Sequence, residues 1–176
     1  MISMELLGSL ATDAVFSAIA AIGFAVISNP PKRAVLFAAL LSAVGHSFRY
    51  YLLNAVELDI ASSTFFAATL IGLLSLVCAK IVRCPSEVFT FPSLLPMIPG
   101  MFAYRMFLAL AKFIRTDTKE FPQMLIEEAF QNGLTAVFVM LALVVGVALP
   151  LMLLHSQSYM MSRSRKGEAR REIVKG

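Results

Sequence analysis

The stretch Phe91-Pro92-Ser93-Leu94-Leu95-Pro96-Met97-Ile98-Pro99-Gly100-Met101-Phe102-Ala103-Tyr104-Arg105 sets three prolines, a glycine and an arginine inside an apolar segment. Pro96 and Pro99 each lack a backbone N–H and fix φ, so no continuous helix passes through undisturbed. In a bilayer such a break is tolerated only where protein or a water-filled cavity satisfies the freed carbonyls. Broken helices of this kind point to a solute site. The run from Gly100 to Arg105 then opens a half-helix whose first amides can face an anion, because the dipole and the unpaired N–H groups favour negative charge there. The competing reading is a proline kink that serves packing alone.

Composition sets the surroundings of this break. Of 176 residues, 59% are hydrophobic and 15% charged, and the mean hydropathy is +0.79. Those values lie well outside the range of a soluble domain and predict an all-α, polytopic membrane bundle. Apolar runs long enough for the ~30 Å hydrocarbon core fall at 9–28, 34–54, 60–82, 93–112 and 133–155. The expectation is therefore five transmembrane helices over residues 1–155, the fourth broken by prolines, followed by a basic tail at 156–176. A re-entrant pair is the alternative for the fourth.

Orientation follows from lysine and arginine. Lys32, Arg33, Lys80, Arg83 and the tail residues Arg163, Arg165, Lys166, Arg170, Arg171 and Lys175 fall on one side, against Lys112, Arg115 and Lys119 on the other. By the positive-inside rule the tail is expected in the cytoplasm and the N-terminus outside. The N-terminus has no basic n-region and no small-residue cleavage site, so no cleaved signal peptide is expected. Cys78 and Cys84 have no redox or metal-ligand spacing and read as unpaired structural thiols.

Within the spans, small residues recur on stripes: Ser17, Ala21 and Ala25 in the first, Thr64, Ala68, Gly72, Ser75 and Ala79 in the third, Ala142, Gly146 and Pro150 in the fifth. Such stripes let helices approach closely. Asp13, at the head of the first stripe, reads as a headgroup-level charge in contact with water, with a proton-relay role as the alternative. The second span aligns Ala39, Ser42, His46 and Arg49 on one face. Ionisable groups inside the membrane are costly and usually face the bundle interior or a cavity. His46 and Arg49 are therefore candidate pathway residues, with snorkelling of Arg49 and a satisfied core histidine as the other account. Between the fourth and fifth spans, Pro122 followed by Gln123 to Phe130 suits a helix start, lying in the interface or extending the fifth span outward.

No phosphate-binding loop, zinc-protease motif, CxxC pair or nucleophile elbow is present, and two histidines make a histidine metal site improbable. No metal, cofactor or catalytic residue is predicted. The basic tail directly follows a span and lacks interleaved aromatics, so it suits anionic lipid rather than nucleic acid.

Three segments together resemble a known family: the exit of the first span from Gly23 to Arg33, the Gly45-His46-Ser47-Phe48-Arg49-Tyr50 segment, and Pro92-x3-Pro96-x2-Pro99-Gly100-x3-Tyr104-Arg105. They are similar to the YjjB-type small, C-terminal-half subunit of the threonine/serine exporter family. Met101 stands where that pattern leads one to expect a second glycine. The resemblance implies a bacterial inner-membrane exporter built from two unequal parts, fused in some members and separate in others. The other part would be a larger YjjP-type membrane subunit, with homo-oligomerisation within the complex open, and the substrates small carboxylates, threonine and serine or succinate-like dicarboxylates. A carboxylate needs a positive partner inside the bundle, which makes Arg49, Arg105, His46 and Tyr104 the expected pathway residues beside the Pro92, Pro96, Pro99 and Gly100 break. A non-transporting assembly subunit is the alternative, its arginines then serving as anchors or inter-subunit ion pairs. A membrane enzyme is the weakest reading, since no nucleophile–base pair is apparent.

Overall fold

The computed structural model describes residues 4–28, 30–115 and 123–175, with side chains described as far as Leu153 apart from Glu5. Asn29 of the first turn, Lys119, Pro122 and the basic side chains of the tail fall outside the described residues. Among the described residues six helices run in order: α1 (Met4–Ile27), α2 (Lys32–Asn54), α3 (Ile60–Val82), α4 (Glu87–Leu94), α5 (Gly100–Arg115) and α6 (Gln123–Lys175). No strand occurs among the described residues. A single 3-10 turn, Leu95–Met97, links α4 to α5.

Segments of α1, α2, α3 and α6 are long and apolar enough to cross a membrane, and α4 with α5 makes one more bent by 45°. The 23 residues of α2 and of α3 give each about 35 Å at 1.5 Å per residue, enough for the hydrocarbon core. Asp59 starts α3, its carboxylate accepting from the Ala61 and Ser62 amides at 3.0 Å each. Arg83, at φ 58°, closes the same helix in the left-handed conformation common after a last turn. The segment after Pro122 is not a separate interfacial helix. It is the beginning of α6, because nothing between Gln123 and the apolar run interrupts the helix.

Burial is inverted relative to a soluble protein. Large apolar side chains such as Phe16, Ile27, Leu36, Phe107 and Ile114 lie on the outside, while Ser17, Ser42, Ser63, Thr64, Ser75, Thr90 and Ser93 are buried. In lipid, apolar surface gains little by turning inward, so close contact between small residues and interhelical hydrogen bonds hold helices together. The α3–α6 crossing shows how close. A Cβ added at Gly146 would sit 2.7 Å from the Phe65 carbonyl oxygen, and one at Gly72 would sit 2.7 Å from the Pro150 ring. Ser17, Ala21 and Ala25 are likewise buried, and Ser42 Oγ donates across to the Ser17 carbonyl at 3.1 Å.

The two halves of the broken element go to different neighbours. α4 and the 3-10 turn pack among α1, α2 and α3, whereas α5 packs on α6. Ser93 Oγ donates between the carbonyls of Phe89 (2.6 Å) and Ala38 (2.9 Å), tying α4 to α2. Phe89 meets the Phe37 ring edge-on, centroids 6.3 Å apart. Met97 anchors the turn in a core with Ala67, Ala68, Ile71 and Leu143. Pro92 lies inside α4 rather than at its end, where its missing N–H costs only the bond to the Val88 carbonyl. The interruption itself falls between Pro96 and Pro99.

Candidate functional site

A helix through residues 95–103 would spend the Pro96 carbonyl on the Gly100 amide and the Met97 carbonyl on the Met101 amide. Pro99 prevents this. The Gly100 amide turns instead to the Ile98 carbonyl (2.8 Å), and Ile98 N donates to Leu95 O (3.2 Å). Two carbonyls, those of Pro96 and Met97, are released inside the bundle, where leaving them unpaired would be costly.

Side chains of α2 take both. Arg49 Nη1 donates to Met97 O at 3.2 Å, and His46 Nε2 lies 3.4 Å from Pro96 O. The other ring nitrogen, Nδ1, is 2.7 Å from Asp13 Oδ2 on α1. His46 and Arg49 reach the same turn because three helical positions bring them to one face. Asp13 also interacts electrostatically with Arg49. The result is one polar cluster: Asp13, His46 and Arg49 over the exposed carbonyl end of the broken helix.

Depth supports this assembly. His46 lies eight residues before Asn54, the end of α2, or about 12 Å along the helix. Eight residues of α4 and three of the 3-10 turn carry the chain about 18 Å from the opposite surface, at 1.5 and 2.0 Å per residue. Together they make up a ~30 Å hydrocarbon core. The side chains of His46 and Asp13 are 19% and 25% exposed, so this chain alone does not enclose the cluster.

Asp13 is a correction to the reading of it as a charge in the headgroup layer. It is in register with Ser17, Ala21 and Ala25, the face buried against α2. A carboxylate heading a contact face must be met by the facing helix, and that register was the available signal. Arg105 and Tyr104, expected in the same pathway, are not brought to the cluster. Both lie on the outer side of α5, Tyr104 at 61% exposure, and the Arg105 side chain makes no hydrogen bond or ion pair with a described residue. The 45° bend and the packing of α5 on α6 carry them away.

The start of α5 nonetheless keeps a free quality. Ala103 N donates back to Pro99 O at 3.2 Å, which leaves the amides of Met101 and Phe102 as the unspent donors of the first turn. A Cβ at Gly100 would meet nothing within 4 Å. Packing within this chain does not require glycine there, and the surface is open to whatever approaches it. Among the described residues no group of three His, Cys, Asp or Glu side chains could hold a metal ion.

A multi-pass helical membrane protein with a polar cluster at a broken helix is thus the class that fold and geometry define. Residues 13–153 match the family described as "Threonine/Serine exporter, ThrE". The chain is also 34% identical over 145 residues to an uncharacterized protein of Haemophilus influenzae, an alignment covering 82% of this chain and 48% of that protein. The chain therefore spans about half the length of that relative. No solved structure matches the chain. The protein belongs to the threonine/serine exporter family.

Proposed function

We propose that this chain is one membrane subunit of a two-component secondary transporter that exports small carboxylate-bearing metabolites, succinate-like dicarboxylates or threonine and serine. The observation that carries the reading is Arg49. Its guanidinium is held inside the membrane by a single bond to the Met97 carbonyl. A guanidinium has five N–H donors in a planar fork, so a pair remains to grip a carboxylate, and its charge persists in a dry site. His46 and Asp13 set the charge balance beside it, and the unspent first-turn amides of α5 offer a second place for an anion.

The remainder of the pathway would come from the larger YjjP-type subunit. Two features support that assignment: the chain covers about half of its relative, and α5 turns Arg105, Tyr104, Met101 and Phe107 outward. A partner seated on α5 would bring Arg105 into the route from the other side. In this reading the complex lies in the bacterial inner membrane, with the basic tail in the cytoplasm and the N-terminus outside.

The test is efflux of labelled succinate and labelled threonine from cells making this chain alone, the partner alone, or both. Export that needs both chains supports the two-part transporter, and the label that moves names the substrate class. If neither label moves while both proteins are in the membrane, the substrate assignment fails and the role of a non-transporting assembly subunit takes its place.

A further inference from the structure

The donors and acceptors around His46 do not balance unless the cluster holds an extra proton. Pro96 O is a carbonyl and can only accept. The ionised Asp13 carboxylate can also only accept. His46 stands between them, Nδ1 2.7 Å from Asp13 and Nε2 3.4 Å from Pro96 O. A neutral imidazole has one N–H, so with Asp13 ionised it serves one neighbour and turns a lone pair on the other.

Two arrangements satisfy both contacts. In one, imidazolium donates Nδ1–H to Asp13 and Nε2–H to Pro96. In the other, protonated Asp13 donates to Nδ1 while Nε2–H goes to Pro96. They have the same number of protons, one more than the Asp13 carboxylate with neutral histidine. We propose that the Asp13–His46 pair is a proton-binding site, and that the bound proton docks the broken helix onto α2 through the Pro96 carbonyl.

When the proton leaves, Nδ1–H stays with the Asp13 carboxylate and Nε2 is bare. Nitrogen and oxygen lone pairs then face each other, and the turn is held to α2 by Arg49 on Met97, by packing and, through α4, by Ser93 on the Ala38 carbonyl. Among the described residues, the charged and titratable groups at the pair are Asp13 itself from α1 and, from α2, Arg49, with Tyr50 next to it in sequence. The 3-10 turn has none. The titratable side chains of α3 and α4, Asp59, Cys78, Lys80 and Glu87, sit toward their ends and away from this level.

The experiment is 15N NMR of the full chain in lipid nanodiscs, histidine-labelled, with His155→Gln so that His46 alone reports. Nε2 should bear a proton at low pH and lose it as pH rises. A pair of spin labels on α2 and on the turn should show the two separating in the same step. Asn at position 13 can donate to Nδ1 without titrating, so in Asp13→Asn Nε2–H persists and the turn stays docked throughout. Retention of Nε2–H across the whole range in the native protein would overturn the proposal, as would turn movement that is unaltered in Asp13→Asn.

Discussion

Exchanging Arg49 for lysine keeps one charge and one donor but removes the planar fork, and so separates what Arg49 does for the fold from what it does for a carboxylate. The ammonium of Arg49→Lys can still donate to Met97 O, so the folded bundle should lose less than about 1 kcal/mol, the size of one ordinary hydrogen bond. A bound carboxylate would exchange two parallel N–H···O bonds for one contact to a point charge. One charge-assisted bond is worth about 1.5–3 kcal/mol, which is a ~10- to 150-fold rise in half-saturating substrate. Arg49→Leu is the structural control. Met97 is 1% exposed, so its carbonyl would be left without partner or water at about 1–3 kcal/mol. The assay pairs the concentration dependence of labelled carboxylate flux in vesicles containing both subunits with thermal unfolding of the same preparations. An unchanged half-saturation in Arg49→Lys, with Arg49→Leu losing flux only in proportion to folded protein, would refute the assignment of Arg49 as a carboxylate ligand and leave it a structural cap.

Three further outcomes follow from the geometry. Gly146→Leu inserts a side chain where a Cβ already lies 2.7 Å from the Phe65 carbonyl oxygen; backbone cannot step aside, so unfolding in detergent should show a loss of about 1–3 kcal/mol, and native-like stability would argue against the tight α3–α6 crossing. Asp59→Ala removes the cap of α3 and should cost about 1 kcal/mol. Hydrogen bonds from the Ser62 side chain first, then from the Ser62 and Ala61 amides, hold the Asp59 carboxyl below the usual carboxylate range. The cap therefore contributes fully above the unfolded carboxylate value and fades as pH falls through the lower, folded one, so the gap in unfolding temperature between native and variant should close in acid. Arg105→Gln should reduce transport while complex yield is maintained; unchanged transport in well-expressed protein would remove Arg105 from the pathway.

The sequence makes the architecture legible because membrane helices are written in length and polarity, which need no partner to be read. Four segments announce themselves as uninterrupted apolar runs, and Pro96 and Pro99 mark the interruption in the fourth, since their chemistry forbids a continuous hydrogen-bond ladder wherever they occur. The small-residue stripes of α1 and α3 likewise identify contact faces. The length of α6 was less accessible: Gln123 to Phe130 alone suits a separate helix start equally well, and only continuity with the apolar run decides.

The candidate site was legible by halves. His46 and Arg49 share a face because they are three positions apart on one helix, but the atoms they meet are main-chain carbonyls, which have no residue type and so no signature. Asp13 is 33 positions from His46, and its polarity alone fits the headgroup layer as well as the interior. Arg105 stands apart from that cluster. It is close in sequence to the break, yet position along a chain ceases to predict position in space where the chain turns, and α4 and α5 lean on different neighbours. The break thus has two faces of opposite character. Its carbonyl end is filled from within by His46 and Arg49, and its amide end, at Gly100, is left open on the outside of this chain. The turn that Pro96 and Met97 carry separates the two, with His46 and Arg49 on its carbonyl side and the open amides of α5 on the other.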